Sequence, residues 1–133
     1  MEGLLKKLPN LFIVSGIVEA LAALPCLLMP DGALKRLFGI AEPTALERVV
    51  VEFFGAAIIS LAVISYCIGS YSKDPVAKYW TAVGLLVYNL LVAVFAIQLP
   101  MPGRLVAGGG HTLLTIHCIL YVMAYNGKSG KSR

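Results

Sequence analysis

Four long apolar runs dominate the chain, at residues 11–29, 49–71, 76–99 and 105–125, and they are separated by short polar stretches. Roughly 20 apolar residues in helical form cross the ~30 Å hydrocarbon core of a bilayer. The hydrophobicity is continuous within each run, whereas a membrane β-barrel alternates in segments of about ten residues. Backbone groups in lipid must also find partners inside their own segment, which leaves helices as the consistent solution. The pattern therefore predicts an all-α fold, an integral membrane four-helix bundle with a short interfacial helix between helices one and two.

The polar punctuation marks where these helices begin and end. Asn10, following Pro9, is placed to cap the first helix. Before it, residues 1–8 carry Leu4, Leu5 and Leu8 beside Lys6 and Lys7, a composition suited to a segment lying in the headgroup region. Pro25 interrupts the first span and removes one hydrogen bond from its ladder. Residues 31–39 read as a two-turn helix on the outer surface, with Asp31 as cap, Gly39 as stop, and Lys35 and Arg36 turned to headgroups. Thr44 and Glu47 form a capping box ahead of the second span, and Asp74-Pro75 supplies an N-cap and an N1 proline for the third. Pro100-Met-Pro-Gly103 predicts a tight turn, which makes helices three and four antiparallel neighbours.

Composition supports the bilayer as solvent. Of 133 residues, 59% are hydrophobic and 14% charged, more apolar than a small soluble domain can bury. The net charge of +4 would suggest a nucleic-acid partner in a soluble protein, but here the charges sit at the span ends. Lys6, Lys7, Lys73, Lys78, Lys128, Lys131 and Arg133 fall on one side, and Lys35, Arg36, Arg48 and Arg104 on the other. Seven against four predicts cytoplasmic N- and C-termini. Lys6, Lys7 and Ala20-Leu-Ala22 imitate a signal peptide, yet an apolar run of about 19 residues exceeds the 7–15 of a signal core, so a retained helix is expected. Residues 1–126 form one transmembrane domain in this reading, and 127–133 a disordered basic cytoplasmic tail.

Five carboxyl, amide and imidazole side chains stand out deep within the apolar spans, where charge is costly and conspicuous. Glu19 sits near the middle of the first span, on a stripe of small residues with Gly16, Ala20 and Ala23 that lets another helix approach. Glu52 repeats the arrangement with Gly55, Ala56 and Ser60. Asn89 shares a face with Ala82, Ala93 and Ala96. His111 aligns with Thr115 and Cys118, and His117 with Gly110, Leu114, Tyr121 and Ala124, on a different face. Glu19, Glu52, Asn89, His111 and His117 are the candidate site, expected to gather in the outer half of the bundle because buried polar groups lower one another's desolvation cost. The competing expectation is that they brace helices, each contributing ~0.6 kcal/mol.

Catalytic and cofactor chemistry finds no motif. HExxH, GxSxG and a Walker loop are absent, and Gly108-Gly-Gly110 lies inside an apolar helix rather than after a strand, where it favours close packing or local unwinding. A haem would need His111 or His117 opposite a second ligand, so no cofactor or metal is expected. Cys26, Cys67 and Cys118 lie in three different spans without CxxC spacing and are expected to be packing residues.

The succession of Glu19 among small residues, then Met29-Pro-Asp-Gly-Ala-Leu-Lys-Arg-Leu-Phe-Gly39 and Phe53-Phe-Gly-Ala-Ala57, resembles the DoxX-like small four-helix membrane proteins in layout over about the first 70 residues. The resemblance implies a four-helix membrane fold and carries over no functional residue.

Minimal loops and missing catalytic groups favour a non-enzymatic accessory or structural subunit of a larger membrane complex. The partners expected are membrane lipids and another membrane protein or a second copy. The alternative is a binding protein or isomerase-like enzyme for a sterol, isoprenoid or other lipophilic ligand, using the Glu/His cluster. Proton-coupled transport would use the same carboxylates but lacks internal repeats.

Overall fold

The computed structural model describes residues 10–98 and 104–129, and among these there are helices and connecting turns but no strand. The helices are α1 (Leu11–Leu28), α2 (Pro30–Ala33, running directly into a π-helical turn, Leu34–Phe38), α3 (Ala45–Tyr71), α4 (Pro75–Gln98) and α5 (Arg104–Ser129). Four of them are long and apolar enough to cross a membrane: α1, α3, α4, and α5 over Ala107–Tyr125.

Local chemistry sets the helix starts. The Asn10 side chain accepts from the Phe12 N–H at 3.1 Å, and its amide nitrogen donates to the Gly69 carbonyl on α3 at 3.1 Å, tying the start of α1 to the end of its neighbour. Both halves of the Thr44/Glu47 capping box form. Asp74 Oδ1 accepts from the Val76 N–H at 2.8 Å, just past Pro75.

The region after α1 departs from expectation in one respect. Pro30, not Asp31, opens α2, and the cap position is Met29, which makes no side-chain capping bond. Asp31 instead pairs with Arg48 across the start of α3, at 2.6 Å. The stop at Gly39 holds: its φ of 76° is the left-handed conformation that glycine adopts at no steric cost. Ala33 and Leu34 are buried with Cys26 and Val51, while Lys35 and Arg36 are exposed.

The bundle is built from two antiparallel hairpins. In the first, α1 and α3 approach through glycines. A Cβ at Gly69 would meet Phe12 and Ile13, one at Gly16 would meet Ala62 and Tyr66, and one at Gly55 would meet Ala23, Cys26 and Leu27. Residue numbers rise on α1 as they fall on α3, which defines the antiparallel register. In the second hairpin, α4 and α5 meet with Tyr79 against Tyr125 at one end and Gly108 opposite Ala96 and Ile97 at the other. The hairpins join around Leu11, Phe12, Ala82, Leu85 and Cys118, with the Phe12 and Tyr121 rings edge to face at 5.2 Å. Large apolar side chains such as Leu21, Phe53, Trp80, Ile97 and Leu113 cover the outside. That is the inverse of a soluble bundle and suits contact with lipid.

Two further expectations can be placed. Residues 108–110 remain helical, and only Gly108 approaches a neighbour; a Cβ at Gly109 or Gly110 would meet nothing within 4 Å. The α5 backbone continues through Gly127, Lys128 and Ser129, so the segment expected to be a disordered tail begins inside the helix. The interfacial segment 1–8 and the turn 100–103 lie outside the described residues.

Candidate functional site

Three of the five candidate residues converge inside the bundle. Glu19 and Asn89 have no solvent exposure and His111 has 9%. Each reaches the interior because its helix packs that face. Glu19 stands with Phe12, Ser15, Gly16 and Ala23 on the buried stripe of α1, and Asn89 with Ala82, Leu85, Ala93 and Ala96 on that of α4. His111 stands with Leu114, Thr115 and Cys118 on α5.

Hydrogen bonding orients the cluster. The Asn89 amide nitrogen donates to the Leu85 carbonyl at 2.7 Å, and a carbonyl only accepts, so Asn89 Oδ1 must be the atom 2.7 Å from His111 Nδ1. An oxygen acceptor there requires the proton on Nδ1. In the neutral ring Nε2 then carries the free lone pair. On the other side, the Tyr88 hydroxyl donates to Glu19 Oε2 at 2.9 Å, and its ring stands edge to face with the His111 ring at 5.7 Å. Glu19 Oε1 lies 3.7 Å from His111 Nδ1, within ion-pair reach of a charged ring but beyond a hydrogen bond. Glu19 thus reaches from the first hairpin to both helices of the second.

Tyr88 was not among the candidates. Its signal was a phenol near the middle of an apolar span, where a buried hydroxyl needs a partner. Ser15 and Ser65 were also missed. Both are fully buried, and among the described residues their hydroxyls have no hydrogen-bond partner; the same is true of Glu19 Oε1. They contrast with Ser60, Thr81, Thr112 and Thr115, whose hydroxyls all return to the carbonyl four residues back.

The other two candidates stand apart. Glu52 is exposed, because the packed face of α3 runs through Val51, Gly55, Ile58, Ala62 and Ser65. One residue of rotation, about 100°, takes Glu52 off that face, and Ala56 and Ser60 are exposed with it. The expected meeting of Glu52 and His111 does not occur. His117 is half-buried, about 120° around α5 from His111, and has no hydrogen bond among the described residues. Cys26 and Cys118 are buried as expected of packing residues, whereas Cys67 is exposed.

Comparison with protein-family models, curated proteins and solved structures finds no match. The reading of this site therefore rests on its own chemistry. A carboxylate and an imidazole 3.7 Å apart, shielded from water and held by a phenol and an amide, can bind a polar group or hold a proton. Among the described residues no three His, Cys, Asp or Glu side chains gather where a metal ion could sit.

Proposed function

We propose that this protein binds a lipophilic molecule whose polar head reaches Glu19 from the bilayer. One observation carries the reading: Glu19 Oε1 is buried with no hydrogen-bond partner among the described residues. Leaving a buried polar group unsatisfied costs ~1–3 kcal/mol, more for a charged one, and a guest that completes the set recovers that cost. A purely structural brace would use both carboxylate oxygens, as Asn89 uses both ends of its amide.

The test is mass spectrometry of the lipids retained when the wild-type chain and Glu19→Gln are purified side by side in mild detergent. The expected result is one lipophile enriched with wild type and depleted with the variant. Identical lipid profiles would sink the proposal.

A second reading, the accessory subunit, is favoured by a different face. Glu52, Ala56 and Ser60 lie one turn apart along the exposed side of α3, and a carboxylate with small neighbours suits close approach of another membrane helix. A partner protein recovered at constant stoichiometry in the same purification, and lost on Ala56→Leu, would support it.

A further inference from the structure

We propose that the rim of the bundle where α3 passes into α4 is a binding surface for anionic phospholipid head groups. This surface is separate from the Glu19 cluster, and its role does not depend on the ligand-binding reading above.

Four helix ends meet at the rim. Asn10, at the start of α1, donates to the Gly69 carbonyl near the end of α3. Residues 72–74 lead directly into α4, where Tyr79 stacks against Tyr125 near the end of α5, with ring centroids 4.6 Å apart. The residue types that favour a membrane boundary gather here. Of six tyrosines and one tryptophan, all but Tyr88 lie on the half of their helix nearest this rim. Tyr71 is 76% exposed and Trp80 64%, and the Trp80 ring stands edge to face with Tyr79 at 5.3 Å. Rings with an apolar body and a polar tip settle at the head-group level. The helix length agrees, because α4 rises about 27 Å from Trp80 to Gln98, close to the ~30 Å of a hydrocarbon core.

Charge separates the two ends of the bundle as sharply. With Glu19 set aside, seven basic and two acidic side chains belong by sequence to this end, against four and four at the other, where Arg48 is paired with Asp31. The acidic group in the described part of the rim is already engaged: the Asp74 carboxylate accepts from the Val76 N–H as the cap of α4. Lys73 is exposed, and Lys78 is half-buried one turn before Ala82. Neither makes an ion pair among the described residues. Each ammonium group carries three donors and no acceptor, so the two lysines offer charge-assisted hydrogen bonds that the described protein does not use.

The rings and the lysines together select the partner. An acidic protein would answer the charge but leave the exposed rings at the hydrocarbon boundary without a role. A phospholipid answers both, with its phosphate at the lysines and its glycerol and upper acyl chains against Tyr71 and Trp80. A zwitterionic head brings its own cation beside the phosphate, so the lysines favour a head of net negative charge. Lipids of that kind are concentrated in the cytoplasmic leaflet, the side to which the loop charges assign this end.

Trp80 is the one tryptophan of the sequence, so its fluorescence reports the lipid beside the rim. The test places the full chain in vesicles of phosphatidylglycerol and phosphatidylcholine in equal amounts, with one or the other brominated on its acyl chains near the head group to quench the indole. Brominated phosphatidylglycerol is expected to quench as though enriched at least about fivefold, the factor for one lysine near an anionic surface. That enrichment should fall towards parity as salt rises to ~1 M, where exposed charges are screened. Lys73→Gln combined with Lys78→Gln should remove most of the preference. Lys35→Gln combined with Arg36→Gln, the same charge change at the other end, should leave it intact. If the first double variant misfolds, the wild-type comparison and its salt dependence still decide.

Equal quenching by the two brominated lipids overturns the proposal. So does a preference that survives the loss of both Lys73 and Lys78, which would move the recognition to basic residues elsewhere. If neither lipid is preferred and polyglutamate binds the chain in phosphatidylcholine vesicles through the same two lysines, the rim belongs to an acidic protein instead.

Discussion

Replacing Gly16 by alanine tests whether the α1–α3 seam depends on backbone-to-backbone approach. The new Cβ would stand 2.8 Å from the Ala62 carbonyl oxygen, 3.1 Å from the Tyr66 nitrogen and 3.2 Å from Tyr66 Cβ. Two of those atoms are backbone and cannot rotate away, so the helices must separate by several tenths of an ångström. Overpacking of this kind costs ~1–3 kcal/mol, and alanine returns about 1 kcal/mol of helix propensity over glycine. The net expectation is a loss of about 1 kcal/mol. Gly84→Ala is the control: nothing lies within 4 Å of its added Cβ, so the propensity gain stands alone and the variant should be more stable by about 1 kcal/mol. The two alanines should thus differ by ~2 kcal/mol, or about 30-fold in the folding equilibrium constant. Reversible unfolding in mixed micelles, titrated with a denaturing detergent, measures the difference. A Gly16→Ala protein as stable as Gly84→Ala would refute the close-approach argument.

Three other outcomes are expected. Nitrogen-15 chemical shifts should show His111 as the Nδ1–H tautomer, and Asn89→Leu should abolish that preference while destabilising the bundle by ~0.6–1.7 kcal/mol; an unchanged tautomer in the variant would mean that Asn89 does not orient the ring. Thr44→Ala removes the capping box, so amide hydrogen exchange should quicken in the first turn of α3 and remain unchanged in α4. A double-mutant cycle on Asp31 and Arg48 should return less than ~1 kcal/mol, because both side chains are about half exposed, and the coupling should shrink as salt is raised.

How far the site was legible depended on which helix face was known. For Asn89 and His111, small or packing residues at three- and four-residue spacing correctly marked the buried face. The same argument failed for Glu52. Gly55 and Ala56 lie on either side of the direction in which Glu52 points, and only Gly55 belongs to the seam. A stripe of small residues identifies a face that could accept a neighbour, but which of two such faces is taken depends on the partner helix. Tyr88 escaped notice because a tyrosine in an apolar span reads as one more large side chain until an acceptor is seen opposite it. Ser15 and Ser65 escaped because a helical serine ordinarily satisfies itself on its own backbone.

The sequence by itself determined the spans, the helix starts at Asn10, Thr44 and Asp74, and the stop at Gly39. These depend on properties local to the chain: apolar run length, side chains that reach a free amide one turn away, and glycine's tolerance of positive φ. The tertiary structure alone decided that Glu19 meets Tyr88 and His111 while Glu52 faces outward, and that among the described residues two serines and one carboxylate oxygen are left without partners. Those outcomes turn on the rotation and register of one helix against another. They are set by how closely Gly16, Gly55 and Gly69 let α1 and α3 approach, a many-residue packing condition that no short window of sequence contains.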